Sequence, residues 1–273
     1  MKINQLKKIL NSFGDSVYFE HDLKKKNWFN IGGKAKVFYK ADNLKDLINF
    51  LKKLDENEKI FILGAGSNTL ISDNLFNGVV IKLGKNFGKI SLHGKDVIIA
   101  GSSVLDKSLS DFAMNNNLSG FEFLSCIPGT IGGGIRMNSG CFNSEFKDIL
   151  ISVQAINRLG EVLTISAKNI KFGYRTCNLE KNLIFLSASF KTQKNDTKNI
   201  LENIQSLKEK KEISQPLRVK TGGSTFKNPK NQSQKKAWEI IKENVDCQIS
   251  FGDARISHKH SNFFINSKNA TYE

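Results

Sequence analysis

Residues 59–73, KIFILGAGSNTLISD, carry an apolar run straight into a turn built on Gly64 and Gly66. An apolar run of this length bounded by turn formers reads as a buried strand. A strand that ends on spaced glycines suggests a dinucleotide-binding βαβ unit, in which a helix N-terminus receives a pyrophosphate. Two features argue against that unit here. Thr69 stands at the third glycine position, and LISDNLFNG after it is too short and turn-rich for the long helix required.

Upstream, AKVFYKA (35–41) alternates like a half-buried strand behind an IGG turn. NLKDLINFLKKLDENE (43–58) then sets Leu44, Leu47, Ile48, Leu51 and Leu54 on one helical face. Downstream, GVVIKLG (78–84), GKISLHG (88–94) and DVIIAGSS (96–103) are short β-rich runs, and VLDKSLSDFAMNNNLSG (104–120) reads as a helix ending on an Asn and Gly cluster. ILISVQAINRLGEVLTISAKNI (149–170) predicts a hairpin turning near Arg158 to Gly160, followed by a strand at LIFLSASFKT (183–192). The polar stretch QKNDTKN (193–199) has no apolar anchor and marks a boundary near residue 196, after which Ile200, Leu201, Ile204 and Leu207 fall on one helical face. The texture is α+β, without internal repeats.

A second glycine cluster, IPGTIGGG (127–134), spaces Gly129 and Gly134 as a phosphate-binding P-loop does. Ile135 and Arg136 stand where that loop requires Lys and Ser or Thr. What remains common to the two clusters is a run of small residues with hydroxyl or amide neighbours: Ser67, Asn68 and Thr69 in one, Thr130 in the other. Successive backbone N–H groups in such turns can form an anion-binding nest. A plain tight turn explains each cluster equally well when it is taken alone.

The setting is that of a folded enzyme: 273 residues, 39% hydrophobic, 25% charged and 10% aromatic. The four cysteines, Cys126, Cys141, Cys177 and Cys247, include no C-x-x-C pair, so neither zinc nor a disulfide framework is signalled. A net charge of +15 admits a polyanionic partner, yet the lysines are spread along the chain, and abundant Lys, Asn, Ile and Phe account for it by composition. No nucleic-acid-binding motif accompanies the charge. No apolar run reaches membrane-spanning length, and MKINQLKKILNSFG reads as a short amphipathic helix without the features of a secretory signal, so a cytoplasmic location is expected.

Five segments in order, LGAGSNTLISD (63–73), GFEFLSCIPGTIGGGIRMNSGCF (120–142), FGYRTCN (172–178), TGGSTFKNP (221–229) and SHKHSNFFIN (257–266), resemble the successive signatures of the UDP-N-acetylenolpyruvoylglucosamine reductase family. The resemblance runs from about residue 28 to the end of the chain. It implies an α+β flavoenzyme: a two-lobed FAD-binding domain of the vanillyl-alcohol-oxidase (PCMH) type over residues 28–195, in lobes of about 28–115 and 116–195. An N-terminal helix and lead-in (1–27) precede it, and a smaller α+β substrate-binding domain (196–273) follows. The implied reaction passes electrons from NADPH through FAD to the enolpyruvyl ether of a UDP-sugar, giving the lactyl ether of UDP-N-acetylmuramate, a peptidoglycan precursor. The expected state is a monomer acting on a small molecule, with no nucleic-acid or membrane partner.

On this resemblance the cofactor is held by Gly64, Ala65, Gly66, Ser67, Asn68 and Thr69 together with Ile127, Pro128, Gly129, Thr130, Gly132 and Gly133. Reduction of an enol ether conjugated to a carboxylate builds negative charge on that carboxylate and then needs a proton at the adjacent carbon. Arg175 matches the family's arginine, whose fork of donors suits the carboxylate. Ser224 matches the serine that donates the proton, and Tyr174, Lys227 and Asn228 are the matching substrate contacts. His258 and His260 could offer two imidazoles to a metal, but no carboxylate or cysteine cluster accompanies them and no metal is expected.

The family pattern continues past INSKNAT to a further glutamate, and Glu273 does not stand at its position. The expectation is therefore of a chain cut short, able to bind FAD and slow in turnover. Cys141 and Phe142 depart mildly from the family's usual run, with Cys141 read as packing. Two rival readings remain: another FAD oxidoreductase of the same fold acting on an alcohol or sugar, and a basic nucleic-acid-binding protein.

Overall fold

The apolar run before the first glycine turn is a short strand, Ile60–Ile62, paired parallel with Phe76–Leu83 in the computed structural model, which describes residues 1–229 and 232–273. Lys34–Ala41 and Val17–Asp22 complete a four-stranded sheet in the order Val17–Asp22, Lys34–Ala41, Phe76–Leu83, Ile60–Ile62. The helix Leu44–Lys53 covers it. Asn43 caps that helix by accepting from the Asp46 N–H at 2.9 Å. Leu47, Phe50 and Leu51 are buried, and the Phe50 ring stacks on Tyr39 with centroids 3.8 Å apart. With Leu6 and Leu10 of the helix Ile3–Leu10 they build one core.

A second sheet of five strands runs Val162–Ser166, Leu150–Ile156, Ile184–Lys191, Val97–Gly101, Ile90–His93, with every pairing antiparallel. The expected hairpin is its Leu150–Ile156 and Val162–Ser166 pair, closed by an Asn157–Gly160 turn. The helix Asp106–Asn115 and the loop and helix around residues 121–136 pack on this sheet. Leu109, Phe121, Leu124, Ile131, Ile135, Phe146 and Phe190 form a second core there.

The chain divides into two compact units, one of residues 1–21, 35–65 and 77–208, the other of residues 22–34, 66–76 and 209–273. Both cores lie in the first, as do both sheets apart from the end residues Asp22, Lys34 and Phe76. The second unit holds a three-stranded sheet of Ser250–Phe251, Ala254–Ile256 and Phe264–Asn266 and the helix Ala237–Asn244. Its early segments are tied in by polar bonds. The Asn266 side chain donates to the Phe29 carbonyl at 2.8 Å, the Gly33 N–H donates to the Ser72 carbonyl at 2.8 Å, and the Tyr272 N–H donates to Asp73 at 2.6 Å. A side chain at Gly33 would overlap the Asp73 carbonyl, which explains the glycine in the IGG turn.

The helix after the predicted boundary spans Thr197–Ser214, and the structure corrects its apolar face. Ile200 and Ile204 are buried and Leu207 half-buried, but Leu201 is 41% exposed. One residue is a 100° step around a helix. A narrow stripe at i, i+4 and i+7 therefore leaves position i+1 in solvent.

Candidate functional site

The strand Ile60–Ile62 delivers the chain into Gly64–Thr69, and among the described residues no acceptor meets the backbone N–H groups of this loop. Six consecutive donors without a protein acceptor on a partly enclosed loop are open to water or to an anion, the pattern of an anion-binding nest. Gly66 adopts φ +71°, and a Cβ there would stand 2.7 Å from the Asn27 Cα, so only glycine fits. Its carbonyl accepts the Trp28 N–H at 3.0 Å. Ser67 and Thr69 are half-buried and Asn68 exposed.

The second glycine cluster is more than a turn. Ile127 donates to the Leu124 carbonyl, the exposed Pro128 and then Gly129 and Thr130 form a loop, and Ile131–Arg136 is a short helix that starts by donating from Ile131 to Val104 and from Gly132 to Ser102, both at 2.9 Å. Gly133 is exposed on it. The two clusters meet, since a Cβ on Gly64 would stand 2.7 Å from Thr130 Oγ1. Among the described residues the N–H groups of Gly129 and Thr130 also lack an acceptor. Arg136, which broke the P-loop pattern, is spent elsewhere: its guanidinium donates to the carbonyls of Leu179, Glu180 and Leu183 and lies 4.3 Å from the Phe185 ring centroid. Burial lowers its pKa.

Beside this loop lies a group that the sequence reading passed over. Asp106 opens the helix Asp106–Asn115 with no exposed surface, and among the described residues neither carboxyl oxygen has a hydrogen-bond partner. Burial pushes its pKa up to about 8. Its backbone N–H donates to the Gly129 carbonyl at 3.1 Å, and a Cβ on Gly129 would stand 2.5 Å from its Oδ2.

Tyr174 and Arg175 form the turn of a minimal hairpin, Phe172–Gly173 paired with Thr176–Cys177. Both are half-buried, and Arg175 takes φ +58°, a left-handed conformation that L residues other than Asn and Asp seldom adopt. Such strain is concentrated where a side chain has to be aimed. The Arg175 guanidinium donates to the Gly140 carbonyl at 3.2 Å and lies 5.5 Å from the Tyr174 ring centroid. Asn138, fully buried at φ +41°, ties this hairpin to the glycine helix by donating to Glu145 at 2.9 Å and to the Gly173 carbonyl at 3.2 Å. Cys141 donates to the Phe123 carbonyl and packs against the second core, as packing rather than chemistry requires.

In the second unit Ser224 forms a β-bridge with Phe263 and is exposed, as is Lys227, while Asn228 is half-buried and accepts the Ala237 N–H at 3.0 Å at the start of the helix Ala237–Asn244. The residue holding this segment is Asn262, 3% exposed. Its side chain accepts from the Phe226 N–H at 2.9 Å and donates to the Phe226 carbonyl at 2.8 Å, and its own carbonyl accepts the Thr225 N–H. His260 packs edge-on against Phe263 and accepts the Asn262 N–H at 3.3 Å, with burial lowering its pKa. His258 is exposed. Among the described residues no group of three or more His, Cys, Asp or Glu side chains could hold a metal.

Two family models match the chain: the FAD binding domain over residues 35–166, and the C-terminal domain of UDP-N-acetylenolpyruvoylglucosamine reductase over residues 215–273. The UDP-N-acetylenolpyruvoylglucosamine reductase of Pelagibacter ubique (strain HTCC1062) is 59% identical over the whole of this chain and 90% of its own length. That of Rickettsia conorii is 44% identical over 92% of this chain and 84% of its own. The crystal structure of UDP-N-acetylenolpyruvylglucosamine reductase from Thermus caldophilus matches with a TM-score of 0.81 at 29% identity, covering 93% of this chain and 88% of that one. p-Cresol methylhydroxylase matches with a TM-score of 0.51 at 17% identity, covering 71% of this chain and 43% of that one, a likeness of fold.

Proposed function

The chain belongs to the UDP-N-acetylenolpyruvoylglucosamine reductase family, and from that membership we infer that it reduces the enolpyruvyl ether of UDP-N-acetylglucosamine to UDP-N-acetylmuramate for peptidoglycan synthesis. The 59% identity across the full chain carries this reading. Bound FAD would supply the hydride-transfer chemistry that links NADPH to the enol ether. The residues present fit it: within the first unit the N–H groups of Gly64 and Ala65, with those of Gly129 and Thr130, suit its diphosphate where these two loops meet, and Gly133 leaves an exposed face without a side chain for its approach. Gly66, Ser67, Asn68, Thr69, Ile127, Pro128 and Gly132 are the remaining residues of the two loops assigned to the cofactor.

Arg175 takes the substrate carboxylate and stabilises the charge that gathers there, a role supported by its strained turn and its tether to Gly140. Ser224 donates the proton to the adjacent carbon, and Tyr174, Lys227 and Asn228 hold the sugar or diphosphate of the substrate. The enzyme works as a monomer in the cytoplasm, with NADPH as reductant.

The purified protein supplied with FAD should show the flavin absorbance band and oxidise NADPH only when the enolpyruvyl UDP-sugar is added. Arg175→Ala and Ser224→Ala should each lower kcat about a hundredfold with the flavin band unchanged. Near-normal turnover in both variants would remove these two residues from the mechanism, and NADPH oxidation driven by simple alcohols would overturn the substrate assignment.

A further inference from the structure

Three buried side chains between Ser102 and Ser110 in the first unit have polar atoms without a partner among the described residues: Ser102 Oγ, both carboxyl oxygens of Asp106, and Ser110 Oγ. Asp106 and Ser110 lie one helical turn apart on the buried face of Asp106–Asn115. Ser102 precedes that helix, and its carbonyl holds the Gly132 N–H. Ser102 and Asp106 therefore lie against the Gly129–Gly132 loop, with Ser110 one turn further along the helix. Asp106 is its closest neighbour, bonded to the Gly129 carbonyl through its N–H and packed on Gly129 through Oδ2.

Charge on this carboxylate is strongly disfavoured there. It is fully enclosed, and among the described residues no donor meets it and no cation pairs with it. The titratable groups on surrounding elements are Lys107 and Asp111 on its own helix, Glu122 and Cys126 in the turn packed on that helix, and Arg136 beyond the loop. None bonds Asp106: Glu122 accepts the Gly120 N–H, and Arg136 is committed to three carbonyls. The sequence reading offers no reason for an acid at this position. The loop above it does, because the same N–H groups that would attract a diphosphate would be opposed by a negative charge directly beneath them.

We propose that Asp106 is a positioning residue that must be an uncharged acid for the Gly129–Gly132 loop to accept the FAD diphosphate, so that cofactor binding at alkaline pH takes up one proton. The proposal rests on the reading that this loop contacts the diphosphate. Two charges on the ligand and one on Asp106 disfavour each other, so the bound state holds the proton more tightly than the free protein does. By linkage the FAD Kd then rises by up to about tenfold per pH unit above the free protein's titration, and is flat below it. An acid in this place gives the holoenzyme a means of releasing FAD as pH rises, which an apolar residue would not.

Titrating FAD into the apoprotein by calorimetry at pH 8.5, in two buffers of different ionisation enthalpy, reads the proton uptake directly. Flavin fluorescence gives the Kd from pH 6.5 to 9. The wild type should take up a substantial fraction of one proton at pH 8.5 and show the rising Kd, whereas Asp106→Asn should take up none and hold its low-pH affinity throughout. Asp106→Ser repeats the comparison with a smaller uncharged group in case the amide distorts the loop. Binding without proton uptake in the wild type, or equal uptake in the uncharged variants, would overturn the proposal alone. Failure to bind FAD at pH 6.5 would overturn the cofactor assignment of this loop and the proposal with it.

Discussion

Glu58 is held 2.5 Å from Lys36 Nζ and 3.0 Å from the terminal amine, with its side chain 2% exposed and that of Lys36 8%. Burial alone would raise its pKa, but the hydrogen bonds and charges of Lys36 and the amine outweigh it and hold the carboxyl below its usual value. A group depressed in the folded state contributes stability above its unfolded pKa and loses it as pH falls through the folded one. Glu58→Gln should therefore lower stability by about 3 kcal/mol at pH 7, since it leaves a buried lysine uncompensated. The gap to wild type should close in thermal melts as pH falls below about 4; a gap that stays constant with pH would show that packing, not charge, is what the glutamate provides. Roles of this kind were not legible in the sequence, where Glu58 is one of many charges after a helix. Arg175 was legible as a residue type beside Tyr174, but its left-handed backbone is imposed by a two-residue turn and its tether to Gly140, both set by tertiary neighbours. Asp106 was invisible for a related reason: nothing in DKSLSDFA says that an aspartate shares the buried face with Leu109 and Ala113.

Local elements were read from the chain wherever the apolar period was strong, as in Lys34–Ala41, Leu44–Lys53 and the hairpin from Leu150 to Ser166. The glycine cluster at 127–134 resisted because three glycines are poor helix formers, yet Ile131–Arg136 is helical: Ile131 and Ile135 are buried one turn apart in the second core, and that packing overrides propensity. The TGGSTFKNP segment has no ladder of its own beyond the Ser224 bridge to Phe263, and its shape depends on Asn262 about forty positions later. Asn262→Ala would strip the Phe226 N–H and carbonyl of their side-chain partners, a loss of about 1 kcal/mol per bond. Thermal stability should fall by a few degrees. If Asn262 also positions Ser224, kcat should fall about tenfold with FAD affinity and the KM for NADPH unchanged, because misplacement affects the reacting geometry and spares remote binding. A variant with wild-type kcat would confine Asn262 to a structural role.

At the scale of the whole molecule, residues 22–34 and 66–76 group with 209–273 and not with their neighbours in sequence. Periodicity reports which residues are buried and not against what, so a contiguous division was the natural reading of a chain whose ties, such as Asn266 to Phe29, span 237 positions. Composition spoke more plainly about charge. The +15 balance belongs to an enzyme whose substrate carries a diphosphate and a carboxylate, and spread-out lysines make a broad positive potential, not a docking stripe. Such a potential speeds encounter with an anion and has no reason to alter the chemical step. The KM for the UDP-sugar should therefore rise several-fold between about 20 and 300 mM salt, as the Debye length shrinks from about 20 to about 6 Å, while kcat holds steady. Neutralising Lys24, Lys25 and Lys26 to Gln, a run of adjacent cations in the second unit, tests whether the potential is local or global. A broad field should lose a small part of its salt dependence in this variant, and a local one most of it. A KM indifferent to salt in the wild type would leave the basic composition without a part in catalysis.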